Sequence, residues 1–167
     1  MKKIKVGILG AAGYTGGELI RLLLQHPFAE IVFAHSRSQA GKPLYTTHAD
    51  LLGDTTLSFT DAMPLDSIDV LFLCLGHGES RTFLESATLP ACLRVIDLTT
   101  DFRHQASNTV KQASFIYGLP ELNRMQIKQA RFVANPGCFA TAIQLGLFPL
   151  AQAGQLPEIH TTGITGS

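Results

Sequence analysis

The chain has 167 residues, and its 13 basic side chains balance 13 acidic ones. Nearly half of it is apolar, enough for a real core, and the length suits one domain or one domain and the start of another. Sparse, balanced charge gives no electrostatic case for binding nucleic acid or an anionic membrane surface.

Residues 4–9 read as a first, buried β-strand. The preceding lysines can imitate a secretory signal, but the apolar run is short, broken by Gly7, and flows into an amphipathic helix. No segment is long enough to span a bilayer, and a cytoplasmic protein is expected. Residues 15–25 read as a helix, with Thr15 and Glu18 in capping-box spacing and Leu19, Ile20, Leu22, Leu23 and Leu24 on its apolar face. Pro27 ends it. Residues 30–34 form a second strand, and 44–61 are irregular with a short strand at 57–59. A strongly apolar strand covers 70–75, a helix 78–87, and another strand 94–98. The polar stretch 99–112 reads as loop. A helix covers 122–129, a strand 131–134, a helix 139–150, and a last strand 160–164. Alternating strands and helices, with nearly all-apolar strands, predict an α/β fold: a parallel sheet with helices on both faces. No internal repeat or low-complexity linker interrupts it. The chain stops in a glycine-rich strand-to-turn segment, so an interrupted sequence is expected.

The three cysteines contain no CxxC pair, which argues against a zinc site or a disulfide framework. Cys74, inside Val70-Leu71-Phe72-Leu73-Cys74-Leu75, and Cys92, beside Leu93, read as inert buried thiols. Cys138 differs. In Asn135-Pro136-Gly137-Cys138-Phe139-Ala140-Thr141 it sits where an apolar strand turns into an apolar helix. The free N–H groups and positive dipole end of that helix favour a thiolate, the nucleophilic form.

Gly10-Ala11-Ala12-Gly13-Tyr14-Thr15-Gly16 lies between the first strand and its helix, the order that a dinucleotide-binding turn requires. Glycines let the backbone approach a pyrophosphate, and the helix N-terminus stabilises its charge. Gly10, Gly13 and Gly16, with Tyr14 and Thr15 at the helix entrance, are the cofactor-binding residues expected there. A bare glycine pattern is also compatible with a tight turn that holds no ligand. The second strand is followed by His35-Ser36-Arg37-Ser38 in place of the acidic residue that would bind an NAD ribose. Ser36, Arg37 and Ser38 suit a 2′-phosphate and point to NADP; their alternative is a solvated loop. Gly76, in Gly76-His77-Gly78, is a second backbone approach to the cofactor, and His77 has no expected catalytic role.

Several motifs then coincide with one family. Gly10 to Leu19, Ser36-Arg37 with Gly41-Lys42, Asp97-Leu98-Thr99-Thr100-Asp101-Phe102-Arg103, Tyr117-Gly118-Leu119-Pro120-Glu121-Leu122 and Asn135 to Thr141 together resemble the N-acetyl-gamma-glutamyl-phosphate reductases. These are NADPH-dependent enzymes of arginine biosynthesis. The resemblance runs through the whole chain in the family's order. It implies a Rossmann NADP-binding domain over 1–137 and, from Cys138 onward, the beginning of an α+β catalytic and dimerisation domain over 138–167. Family members continue well beyond residue 167, and their catalytic histidine lies downstream. Phe139 replaces the family's common tyrosine, and Thr162 and Thr165 replace serines of a Ser-Gly-x-Ser-Gly segment.

By that resemblance Cys138 attacks the acyl phosphate of N-acetyl-glutamyl 5-phosphate, phosphate leaves, and hydride from NADPH reduces the thioester. Collapse of the thiohemiacetal gives N-acetyl-glutamate 5-semialdehyde. A homo-oligomer is implied for the full-length protein. The chemistry needs a general acid/base. Among the histidines, His26, His48 and His104 read as surface positions, His35 neighbours the ribose site, and His160 enters a strand. Arg103 is a candidate for the substrate phosphate, with an ion pair to Asp101 or Asp97 as the alternative. Asn135 either orients the thiolate or a carbonyl oxygen, or holds a turn. Glu121 caps or anchors the helix after Pro120. Two other readings stay open. One is a non-catalytic NADP-binding fragment. The other is an acyl-phosphate reductase like aspartate-semialdehyde dehydrogenase, which the Tyr117 to Leu122 segment disfavours.

Overall fold

The structure, a computed structural model, describes residues 2–111 and 113–164. Its centre is a seven-stranded sheet in the order β3-β2-β1-β4-β5-β9-β8, and every pairing in it is parallel. The strands are β1 (Ile4–Leu9), β2 (Ala29–His35), β3 (Phe59–Thr60), β4 (Val70–Leu73), β5 (Arg94–Asp97), β8 (Ile116–Tyr117) and β9 (Phe132–Ala134). Helices α1 (Tyr14–Leu24), α2 (Glu79–Ser86), α3 (Pro120–Gln129) and α4 (Cys138–Gln152) follow β1, β4, β8 and β9. The α/β class with a parallel sheet is therefore as expected. No helix among the described residues is long and apolar enough to cross a membrane.

Two apolar clusters form the core. One gathers Val6, Ile8, Ile20, Ile31, Ala34 and Phe59, and the other Leu9, Phe33, Leu71, Leu73, Leu84, Val95 and Phe132. Ile20 brings α1 to the first cluster and Leu84 brings α2 to the second, which is how a two-faced parallel sheet hides its strands. Ile31 and Phe33 belong to different clusters although two residues apart. A register shift explains it: Val6 pairs with Ile31, but Gly7 pairs with Phe33. The extra residue of this β-bulge sends Phe33 across the sheet. Gly7 makes room for it, since a Cβ there would stand 2.4 Å from the Phe33 ring.

Four expectations change. The stretch 99–112 is not plain loop. It ends in β6 (Thr109–Val110), which pairs antiparallel with β7 (Ala113–Ser114). Arg81 pins it, donating to the carbonyls of Thr109 at 2.8 Å and Ser107 at 2.6 Å while stacking over Phe102, which lies flat on Phe115. Residues 116–117, unassigned by pattern, add β8 to the sheet, too short for periodicity to register. α3 starts at Pro120, because proline at the first helical position loses no hydrogen bond. Residues 160–164 form no strand; they are exposed, and no strand among the described residues pairs with them. Thr165 lies outside the described residues.

α4 is unlike the other helices. Its 15 residues carry no charge, yet none is buried, and Phe139, Ile143, Leu145 and Leu150 are exposed.

Candidate active site

In a parallel sheet every strand ends at the same edge. Here that edge collects the Gly10 turn after β1, His35 to Ser38 after β2, Gly76 to Gly78 after β4, Leu98 to Arg103 after β5 and Asn135 to Cys138 after β9. The strand order reverses direction between β1 and β4, and the crevice outside such a switch point is where open α/β sheets bind ligands.

The glycine-rich turn is built by close approach. Gly10 has φ +75, and a Cβ on it would lie 2.1 Å from the Cys74 carbonyl oxygen. A Cβ on Gly16 would stand 2.6 Å from the Gly10 oxygen, whereas Gly13 has only an ordinary contact at 3.4 Å. Gly10 and Gly16 are thus fixed by packing, and Gly13 opens outward. The expected capping box does not form. α1 begins at Tyr14 with Gly13 as an uncapped N-cap, so Thr15 and Glu18 fall inside the helix and Glu18 accepts from Arg21 instead at 2.7 Å. Among the described residues no hydrogen bond uses the amides of Ala12, Tyr14, Thr15 or Gly16. Four free donors at a helix N-terminus fit a pyrophosphate. Of these four residues Tyr14 and Thr15 are exposed, Ala12 is half-buried and Gly16 is buried.

Behind the turn, the Ala11 amide donates to the His35 carbonyl at 3.0 Å. His35 itself is buried, with Nε2 unpartnered, and burial followed by the nearby Arg37 charge lowers its pKa against the pull of Asp61. Ser36 is buried and its amide donates to the Thr60 carbonyl; Arg37 and Ser38 are exposed. Among the described residues Arg37 has no ion pair, which leaves its guanidinium available to a phosphate. Gly76 is less open than expected, since its amide donates to Glu79 Oε2 at 2.8 Å. His77 Nδ1 stands 3.1 Å from Thr100 Oγ1 and joins two loops of this edge.

On the other side of the edge, Cys138 is the first residue of α4 and is exposed. Arg103 braces the loop that carries it. Its Nε donates to the Asn135 carbonyl at 2.9 Å and its second terminal nitrogen to the Leu98 carbonyl at 2.7 Å. The ion pair to Asp97 or Asp101 does not form. Asp101 instead accepts from the amides of Gly78 and Arg81, and Asp97 accepts from Thr99 Oγ1. The remaining Arg103 nitrogen faces Gly137, where a Cβ would stand 3.0 Å away. Asn135 serves the turn: its amide donates to the Asp97 carbonyl at 2.7 Å and its Nδ2 to the Pro136 carbonyl at 3.1 Å. Glu121 is exposed and caps nothing. Asp97 is fully buried with Oδ1 unpartnered, and burial raises its pKa.

The other thiols separate. Cys74 is half-buried, and burial, with the Asp97 charge behind it, pushes its thiol up to about 12. Cys92 is exposed in the turn before β5, not buried as its leucine neighbour suggested. No histidine among the described residues is hydrogen-bonded to Cys138. His26 and His104 are exposed as expected, whereas His48 overturns its surface assignment. It is buried, with Nε2 2.8 Å from the Ala11 carbonyl oxygen. A cavity of about 610 Å³ lined by Leu84, Lys111, Arg131 and Phe132 opens elsewhere, at the amino end of β9, away from these groups.

Comparison with known proteins agrees with this fold. Residues 5–130 match the family model described as semialdehyde dehydrogenase, NAD binding domain. Proteins named N-acetyl-gamma-glutamyl-phosphate reductase from Parabacteroides distasonis and Bacteroides thetaiotaomicron are 52% and 54% identical over 98% of the chain. The chain spans about half the length of these curated relatives, 50% in both cases. The reductase resemblance is thereby borne out. Solved structures share the fold. Aspartate semialdehyde dehydrogenase II of Vibrio cholerae, complexed with ASA, superposes with a TM-score of 0.69 at 21% identity, over 91% of this chain and 47% of that one. The Candida albicans aspartate semialdehyde dehydrogenase with NADP gives 0.63 at 19%, over 92% and 48%. The chain belongs to the semialdehyde dehydrogenase NAD-binding domain family.

Proposed function

We propose that the protein carrying this chain is an NADP-dependent N-acetyl-gamma-glutamyl-phosphate reductase. One observation supports it above the rest: an exposed cysteine at a helix N-terminus shares the carboxyl edge of a parallel sheet with an uncapped glycine-rich turn. The free amides of Ala12, Tyr14, Thr15 and Gly16 hold the pyrophosphate, with Gly10, Gly13 and Gly16 shaping the turn. Ser36, Arg37 and Ser38 take the 2′-phosphate, which selects NADP over NAD, and Gly76 closes on the cofactor from β4. When bound, the cofactor supplies the hydride.

Cys138 Sγ attacks the acyl carbon of N-acetyl-glutamyl 5-phosphate, the carbon–oxygen bond to phosphate breaks, and a thioester to Cys138 remains. After reduction, the thiohemiacetal expels the Cys138 thiolate and releases the aldehyde. Cysteine suits both steps because it is a soft nucleophile and a good leaving group. Arg103 keeps the Asn135 to Cys138 loop in place and turns its free nitrogen toward the incoming phosphate. Asn135 holds the turn before the nucleophile. The general base belongs to the part of the relatives that this chain does not span. We place the domain boundary at residues 137/138, with the protein a cytoplasmic homo-oligomer whose α4 packs against the rest of the catalytic domain that it begins.

Phosphate-dependent NADP⁺ reduction by the full-length protein tests this reading, with N-acetyl-glutamate 5-semialdehyde and aspartate semialdehyde as rival substrates. Turnover of the first and not the second is expected. Preference for aspartate semialdehyde would reassign the substrate, and NADPH binding without turnover of either would favour a non-catalytic module.

A further inference from the structure

We infer that His48 is a positioning residue for the cofactor: it locks the glycine-rich turn through the Ala11 carbonyl. The inference rests on the NADP reading above. The Ala11 peptide is held from both sides. Its amide donates to the His35 carbonyl at the end of β2, and its carbonyl oxygen lies 2.8 Å from His48 Nε2. A carbonyl only accepts, so the imidazole proton sits on Nε2. Ala11 is fully buried and follows Gly10 directly, so its orientation sets where the free Ala12 amide points.

His48 reaches this position from 37 residues away because its segment is strapped onto α1. It lies between two single turns of 3₁₀ helix, Leu44–Thr46 and Ala49–Leu51, and its amide donates to the Leu44 carbonyl at 3.0 Å. Leu44 and Leu51 are buried in the α1-side cluster. Asp50, two residues on, is paired with Arg21 of α1, whose hydrogen bonds hold the Asp50 carboxyl down at about 2. The imidazole packs beside Phe59 and directly over Gly17, where a Cβ would stand 2.6 Å from Nδ1 and Cε1. Gly17, outside the Gly-x-x-Gly-x-x-Gly pattern, is therefore accounted for by the histidine it accommodates. Any buried imidazole N–H needs an acceptor, and the one used here belongs to the pyrophosphate turn, so the ring and the turn are positioned together.

The test compares wild type, His48→Phe and His48→Gln in the full chain, titrated with NADPH and with 2′-AMP, which lacks the pyrophosphate. Phe keeps a ring and loses the donor; Gln restores an amide donor near the Nε2 position. His48→Phe should weaken NADPH about three- to tenfold, the scale of one lost neutral hydrogen bond. It should change 2′-AMP by less than about twofold, and His48→Gln should recover most of the loss. Equal weakening of both ligands, unchanged NADPH affinity in His48→Phe, or no recovery in His48→Gln would overturn the inference. Should His48→Phe not fold, Gly17→Ala displaces the ring instead and must show the same ligand-selective loss; binding like wild type would sink the idea. A wild type that binds no NADPH would refute the cofactor reading itself, which is a different result from a variant that binds it normally.

Discussion

The glycine-rich turn and the Cys138 loop lie on one edge of one sheet but are supported differently. Ala11 is bonded on both sides, Gly10 and Gly16 are in contact with backbone, and α1 buries Gly16, Gly17 and Ile20. Cys138 begins a helix that buries nothing, joined to the rest through the Arg103 brace and a 2.9 Å hydrogen bond from Gln144 to Tyr117 Oη. The glycine-rich turn is braced on both sides by bonds and contacts among the described residues. Cys138 is held by its loop, while no residue of its helix is buried.

The largest effect expected separates the two sides chemically. Cys138→Ser should lower reductase activity of the full-length protein by about 10⁴-fold or more while leaving NADPH affinity unchanged. Steady-state rates beside a fluorescence titration check both halves, and a matching loss of cofactor binding would merge the two regions. Next comes stability. Ile20→Ala should cost about 2–5 kcal/mol in urea denaturation of this chain, because it empties a fully buried site. Ile143→Ala on α4, 38% exposed, should cost less than about 0.5 kcal/mol in the same chain. Comparable losses would mean that α4 is packed after all. Arg37→Ala should cut the preference for NADPH over NADH by about 10- to 100-fold, the scale of a charged hydrogen bond, without changing rates at saturating cofactor.

The smallest effect concerns the boundary between the regions, where Asp97 accepts from Asn135 through its backbone and from Thr99 through its side chain. Burial raises its folded pKa above the ordinary 3.8, so the folded protein holds that proton more tightly than the unfolded chain. The resulting stability is full below 3.8 and is lost as pH rises through the folded value. Asp97→Asn cannot ionise, so wild type should fall relative to the variant as pH rises over that window. Parallel denaturation profiles would show that Asp97 titrates as an ordinary carboxyl.

Much of this was legible in the sequence because it rests on local signals. Runs such as Val70-Leu71-Phe72-Leu73 mark buried parallel strands, and a cysteine between a strand and an apolar helix marks itself. What escaped depends on distant contacts. Nothing near His48 reveals an acceptor 37 residues earlier, and the one available hint was Gly17, a glycine the turn pattern did not need. Ile116-Tyr117 is a strand only because β9 lies beside it. Cys92 follows Pro90-Ala91, and that turn, not the apolar neighbour, decides its exposure. Thr15 and Glu18 had the right spacing but the wrong start, since α1 begins one residue earlier.

Arg103 carries a further consequence. Its two bonds reach carbonyls on either side of a long excursion, Leu98 before it and Asn135 after it. The ends of that excursion are tied together independently of what lies between. Residues 104–106 lie outside every strand and helix and before the Ser107 carbonyl that Arg81 holds, so a change of length there leaves both Arg103 bonds and the Cys138 loop in place. Variation in lineages should accumulate there, with the arginine as the fixed point that makes it harmless.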